Sequence, residues 1–400
     1  MKQPVGPLGL LLVSTLALLT TACGGGDALP TKQALAVIGD VPYGSGPSDT
    51  SQSALHLPFL KALSSDADIS LVLHVGDIHS GKQYCTEAYD QAIANDWKTL
   101  GKPMVYTPGD NEWADCHKVK QGGGSYNAAT GQIDHKRDAN GQLLSWAGGD
   151  PIANLQLVRS IFFASPGSSQ GAAMPLHSQA KEADAAFPSD TAYAENVWFE
   201  KEGVMFVAVN VPGGSNNDTD PWYGAPAMSS AQAQEVAARS AANKRWLDAA
   251  FKRATSDNSY AMVIQLQADM WDLDGNAPSH VAEYRQFIDL IAAGAKAFGK
   301  PVLLLNGDSH VFRSDNPLMP AAPCLTEPSP GAAASACSDD AYANQPHGYR
   351  VSNFHRLVVH GSTSPLEWLK LSIDPGYDTK AADTATRFGP FSWQRIQPSL

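Results

Sequence analysis

Four short apolar runs in this chain end in the same dipeptide, and that recurrence narrows the folds open to it. Residues 35–40 read LAVIGD, 71–77 LVLHVGD, 104–110 MVYTPGD and 302–308 VLLLNGD. Runs this short and rich in Val, Leu and Ile suit strands buried on both faces. Open α/β folds bind ligands beyond the carboxyl ends of such strands. A single Gly-Asp after a strand is ordinary turn chemistry. Four of them gather Asp40, Asp77, Asp110 and Asp308 at one crevice, where carboxylates repel and must take up protons or be neutralised by cations. Bound metal is the simplest neutraliser.

Between these runs the chain alternates strands with helical patterns. Helices are expected at 51–64, 86–100, around 151–163, from Ser229 to Arg253 and at 278–298, with a hairpin at 197–211, a strand at 261–267 and closing strands at 356–361 and 368–373. With 43% apolar residues a large single core is affordable. The folded domain is expected at 34–375, with insertions at about 114–193 and 313–349 and a tail at 376–400. A long, polar, Gly-rich connection such as 114–193 reads as a structureless insertion over a functional face.

The amino terminus reads as an export signal over residues 1–22, with Lys2 followed by an apolar run at 8–19 that is too short to span a bilayer. The segment ending in Cys23 resembles a bacterial lipoprotein signal, which implies a lipidated Cys23 anchoring the protein to the lipid bilayer of the cell envelope, facing the periplasm or exterior. Ordinary cleavage near Ala22 is the alternative. Residues 23–33 would then form a flexible tether. The other four cysteines allow three pairings. Cys85–Cys116 and Cys324–Cys337 are favoured: the first two follow Gly-Asp strand ends, and the second two bracket a Pro, Ala and Ser-rich loop. An oxidising compartment fits this usage.

A formal charge of −12 with no basic stripe argues against binding a nucleic-acid backbone. Gly76 to Lys82 has the spacing of a nucleotide P-loop, but Gln83 stands where Ser or Thr would hold Mg²⁺, and Asp77 would face the phosphates.

The order of these blocks resembles the calcineurin-like metallophosphoesterase superfamily. That resemblance implies an α/β, four-layer αββα sandwich, two central β-sheets flanked by helices, with two metals held at strand ends. Asp40 matches the first block, where Pro42 replaces a His. Asp77 matches the carboxylate that bridges both metals. In Gly109-Asp110-Asn111-Glu112, Asp110 replaces the family's metal-binding Asn, and Asn111 replaces the His credited as general acid. The fourth block offers Gln267 or Asp269, and the last, Gly307-Asp308-Ser-His310, keeps one of two histidines. The implied ligands are therefore Asp40, Asp77, Asp110, Gln267 or Asp269, Asp308 and His310. Oxygen-rich sites favour Mn²⁺ or Mg²⁺, with Ca²⁺, Fe or Zn²⁺ as alternatives.

Such a site implies an exported, metal-dependent phosphoesterase in which an activated water attacks phosphorus in line. Its substrate would be a phosphorylated small molecule or an envelope polymer. An amide cannot deliver a proton, so with Asn111 in the catalytic position either a substrate with a good leaving group or a replacement acid, His79 or His117, would offset the loss. Tyr43, Asn210 and Asn217 are expected to line the substrate crevice. The alternative is a non-catalytic, metal-binding relative that acts as an envelope binding protein.

Overall fold

Facing alternates along each strand, and that alternation builds the layers. In Gln33–Ile38, Leu35 and Val37 point into one core while Ala36 and Ile38 point into another. Leu71 and Leu73 are likewise divided from Val72 in Ile69–His74. On the far side, Leu303 and Leu305 of Val302–Asn306 face the first core, and Val302 and Leu304 face outward. A computed structural model of the chain, which describes residues 1–2, 29–217, 220–272, 278–343 and 348–400, thus forms a four-layer αββα sandwich. The shared core lies between the two sheets. Helices Ser51–Ser65, Glu87–Trp97 and Pro151–Phe162 cover one outer face, and Ser230–Ser256 and Pro278–Phe298 the other.

The first sheet has seven strands and centres on Gln33–Ile38, Ile69–His74 and Pro103–Tyr106, which run parallel. The second has nine and centres on Val204–Ala208, Ala261–Gln265, Val302–Asn306 and Phe354–Val358, also parallel. The loops leaving their carboxyl ends carry all four Gly-Asp phrases.

Three expectations of domain layout are corrected. Residues 114–193 hold more than the expected helix, Pro151–Phe162: the hairpin Gly124–Asn127 with Gln132–His135 precedes it. They also lend an edge strand to each sheet, Gln170–Gly171 and His177–Ser178. The 313–349 region begins with Arg313–Asp315, which pairs antiparallel with Phe354–Val358. Residues 376–400 are not a tail. Phe391–Ile396 pairs along its length with Trp368–Ile373, and Phe391 and Trp393 join the core between the sheets. Cys85–Cys116 and Cys324–Cys337 are disulfide-bonded, with Cα atoms 5.8 and 5.5 Å apart. Among the described residues no helix is long and apolar enough to cross a membrane. Cys23 and nearly all of the expected leader lie outside the described residues.

Candidate functional site

The glycines of the Gly-Asp phrases are there for close approach. A methyl group on Gly109 would overlap the Asp77 carboxylate, and one on Gly307 would overlap that of Asp40. Each phrase therefore makes room for the carboxylate of another. Asp40, Asp77 and Asp308 hold left-handed backbone, with φ of 53°, 58° and 76°, a conformation that Asp tolerates better than most residues. Strain of this kind gathers at functional sites.

The structure brings Asp40, Asp77, Asp110, Asn111, Asp308, His310 and Tyr43 together. All but Asp40 line a cavity of about 620 Å³, and Asp40 lies directly behind it. The Tyr43 hydroxyl donates to Asp77 Oδ2 at 2.6 Å, and Asn111 Nδ2 reaches the same oxygen at 2.9 Å and the Tyr43 hydroxyl at 2.8 Å. His310 Nε2 stands 3.4 Å from Asp40 Oδ1 and 3.3 Å from the Tyr43 hydroxyl. Asp40, Asp77 and His310 each offer a ligand atom within 4.8 Å of the others. The Asp308 amide donates to Asp40 Oδ1 at 3.2 Å, leaving Asp40 Oδ2 buried without a partner.

Electrostatics follow from this crowding. Burial first, and the charge of Asp110 second among the raising causes, push Asp40 up to about 8. Burial and the charge of Asp115 push Asp110 up to about 7. Asp77 and Asp308 are raised well above the carboxylate range by burial and by the charge of Asp110. Burial lowers His310 to about 4, so its ring is neutral and free to act as a ligand. Four carboxylates that resist ionisation form a site that gains from a cation.

Several expected site residues lie elsewhere. Gln267 touches the cluster as a donor: Nε2 bonds Asp110 Oδ1 at 3.2 Å and Asp77 Oδ2 at 3.3 Å, while its oxygen accepts from the Gly213 amide. The oxygen needed for a metal is thus turned away. The Asp269 side chain is bound by Arg356 and by the Ser309 hydroxyl, and only its backbone amide serves the site, donating to Asp308 Oδ2 at 3.0 Å. His79 is fully buried against the Tyr89 ring and does not line the cavity. His117 accepts from the Tyr223 amide at 2.9 Å, in a group with Asp115 and Asp220 whose carboxylates Lys118 already bridges at 2.7 and 3.0 Å. Asn210 is tied to Glu195 and Asn196, and Asn217 to Trp222 and Glu235, so neither faces the cavity.

No family model matches the chain, and no curated protein matches it. A purple acid phosphatase from seeds of yellow lupin (Lupinus luteus) is a similar solved structure, at 13% identity and a TM-score of 0.40 over 86% of this chain and 49% of that one. The chain spans about half of that protein's length. At this distance the likeness says nothing about activity.

Sequence reasoning passed over residues that shape the site. Glu112 Oε1 accepts from the amides of Gly109 at 2.8 Å and Asp77 at 3.1 Å and from the Tyr106 hydroxyl at 2.6 Å, locking two of the phrases together. Its place as the last residue of the third block was the available signal. Lys82, Lys120 and Ser362 to Ser364 also line the cavity. Only the strand at 356–361, ending in His360-Gly361, pointed toward those serines.

Proposed function

We propose that this protein is an exported, metal-dependent phosphoesterase. The observation that carries the reading is the convergence of Asp40, Asp77, Asp110 and Asp308 on one cavity, with a buried Asp40 oxygen that has no partner. A buried, unpaired carboxylate oxygen is costly, and a cation is what such a donor set suits. Asp40, Asp77, Asp110, Asp308 and His310 would hold the metal, and their oxygen-rich chemistry favours Mn²⁺ or Mg²⁺. When bound, the metal acidifies water and polarises a phosphoryl oxygen.

The chain's own residues set up the rest. Tyr43 and Asn111 orient the Asp77 carboxylate through their hydrogen bonds. The cavity admits an ester with an organic group of moderate size. The disulfides and the reading of residues 1–23 support export and anchorage through Cys23. Phosphorylated small molecules or the phosphorylated ends of envelope polymers are the substrates proposed.

One observation favours a second reading, a metal-bearing envelope binding protein without catalysis. Asn111 Nδ2 is engaged by Tyr43 and Asp77, and the two expected replacement acids, His79 and His117, do not line the cavity, so neither supplies the missing acid. Loss of a general acid costs about 10² to 10⁴ in rate. The deciding experiment measures metal content and hydrolysis of an aryl phosphate and an aryl phosphodiester, on protein beginning at Gly24 and refilled with Mn²⁺ or Mg²⁺. Turnover that depends on metal and is lost in Asp77→Asn is the expected result. Metal bound without turnover on either ester would establish the second reading, and failure to bind metal would defeat both.

A further inference from the structure

The cavity carries a positive charge that nothing in the carboxylate cluster explains. Lys120 lies on the short 3-10 turn Val119–Gln121 and points into the cavity from the Asn111 side. Its neighbour Lys118 bridges Asp115 and Asp220, whereas Lys120 has no acidic partner among the described residues. A chain of net charge −12 has carboxylates to offer, so an unpaired ammonium at a concave site is a site for an anion.

Its position is held rather than incidental. The next residue, Gln121, is fully buried and donates from Nε2 to the Asn111 carbonyl at 3.1 Å. The Ser145 hydroxyl caps the Gln121 carbonyl, and the Cys85–Cys116 disulfide ties the same loop to the strand end that carries Asp77. Gly81 leaves the opening. A methyl group there would stand 2.9 Å from Asn111 Oδ1 and 3.3 Å from Lys120 Nζ, so the ammonium, with the Asn111 side-chain oxygen beside it, opens onto one gap that a side chain would fill.

We infer that Lys120 is a substrate-contacting residue: across the gap at Gly81, and beside the Asn111 amide, its ammonium receives an oxygen of the substrate's phosphate group. This inference rests on the phosphoesterase reading for its ligand class. Four carboxylates need as many positive charges before an incoming anion meets any attraction, and a lysine on the opposite wall adds the charge that draws the phosphate in. Lysine suits this place as a mobile point charge that can follow the phosphate.

The test is calorimetric titration of inorganic phosphate into Mn²⁺-loaded protein, wild type against Lys120→Met, Lys120→Arg and Lys82→Met, with aryl phosphate hydrolysis measured on the same samples. Lys120 is exposed, so its variants should melt as the wild type does. The expected result is phosphate affinity about tenfold weaker in Lys120→Met, as for loss of one charge-assisted hydrogen bond. Lys120→Arg should stay within about threefold of wild type, and Lys82→Met, which removes the other lysine charge lining the cavity, should fall less than Lys120→Met. Unchanged affinity in Lys120→Met overturns the inference, as does an equal loss in Lys82→Met or a wild type that binds no phosphate. The hydrolysis data decide the other question separately. Turnover with unaltered phosphate binding in Lys120→Met would leave a phosphoesterase without this contact, and Lys120-dependent phosphate binding without turnover would remove the enzyme and keep the contact.

Discussion

Gly109→Ala isolates what one missing side chain does at this site. The added methyl group collides with the Asp77 carboxylate, which is held from other sides by Tyr43, Asn111 and Gln267 and has nowhere to retreat. Overpacking of this kind costs about 1–3 kcal/mol. The variant should fold with a lower melting temperature and bind Mn²⁺ at least about tenfold more weakly, if the displaced carboxylate loses about 1.4 kcal/mol of its interaction with the ion. Titration of the metal reads this directly, and unaltered metal affinity would show that Asp77 is not a ligand. At this scale the Asp residues were legible because each follows an apolar run that can only be a buried strand. Which polar residues in the following loops would turn inward was not. Asn210 and Asn217 sit in the right loop, but their amides are claimed by Glu195 and Trp222. Lys120 sits in a stretch whose spacing says nothing, and only the fold carries it to Asn111.

Among the elements, Glu327 joins pieces far apart in sequence. It accepts from the Phe312 amide at 2.8 Å, sits 2.6 Å from His360 Nδ1 and pairs with Arg395 at 2.6 Å, so it connects the 313–349 region, the loop after Phe354–Val358 and the last strand. Its removal leaves a largely buried Arg395 with Glu367 as its remaining carboxylate and the Ala332 carbonyl as acceptor, and breaking a buried pair costs about 3–5 kcal/mol. Glu327→Ala should lose about 3 kcal/mol in denaturant unfolding, with the Arg395 strand the first to gain hydrogen exchange; a loss under about 0.5 kcal/mol would mean that the pairs contribute nothing measurable, as exposed pairs often do. One helix was readable from its cap, the Ser229 hydroxyl, which accepts from the Gln232 amide at 3.1 Å; the Asp150 carboxylate, which accepts from the Ala153 amide at 2.8 Å, caps another that was read from its apolar spacing alone. The last strand was missed because Phe391-Ser-Trp393 is too short an alternation to stand out beside the Gly and Asp residues before it. Its place is decided by the partner strand Trp368–Ile373, which no local signal announces.

Over the whole molecule, the gathered carboxylates make stability depend on pH. Asp40 near 8 and Asp110 near 7 keep protons in the folded state that the unfolded chain releases around pH 4. Wherever the folded state holds more protons, stability falls as pH rises, so these two groups take stability from the metal-free protein between about pH 4 and about pH 8. Glu327 and Asp315, whose values are lowered, act in the opposite sense at more acid pH, and so do His74, His79, His117, His310 and His355, lowered by burial, up to about pH 7, which leaves pH 7–8 as the window to examine. Melting of chelator-treated protein should fall by several degrees across that window. Asp40→Asn, which removes one of the buried charges, should flatten the fall, and Mn²⁺ should reverse it. Equal slopes in wild type and Asp40→Asn would mean that Asp40 is not the group responsible.

The sandwich also decides what an occupant of the cavity does to the protein as a body. Asp40, Asp77 and Asp110 hang from the seven-stranded sheet, while Asp308 hangs from the nine-stranded one. The two sheets are leaves hinged by their common core, and whatever sits in the cavity is a buckle across their open edge. The leaves cannot part while it is fastened, so ligand occupancy and resistance to a protease become two readings of one equilibrium.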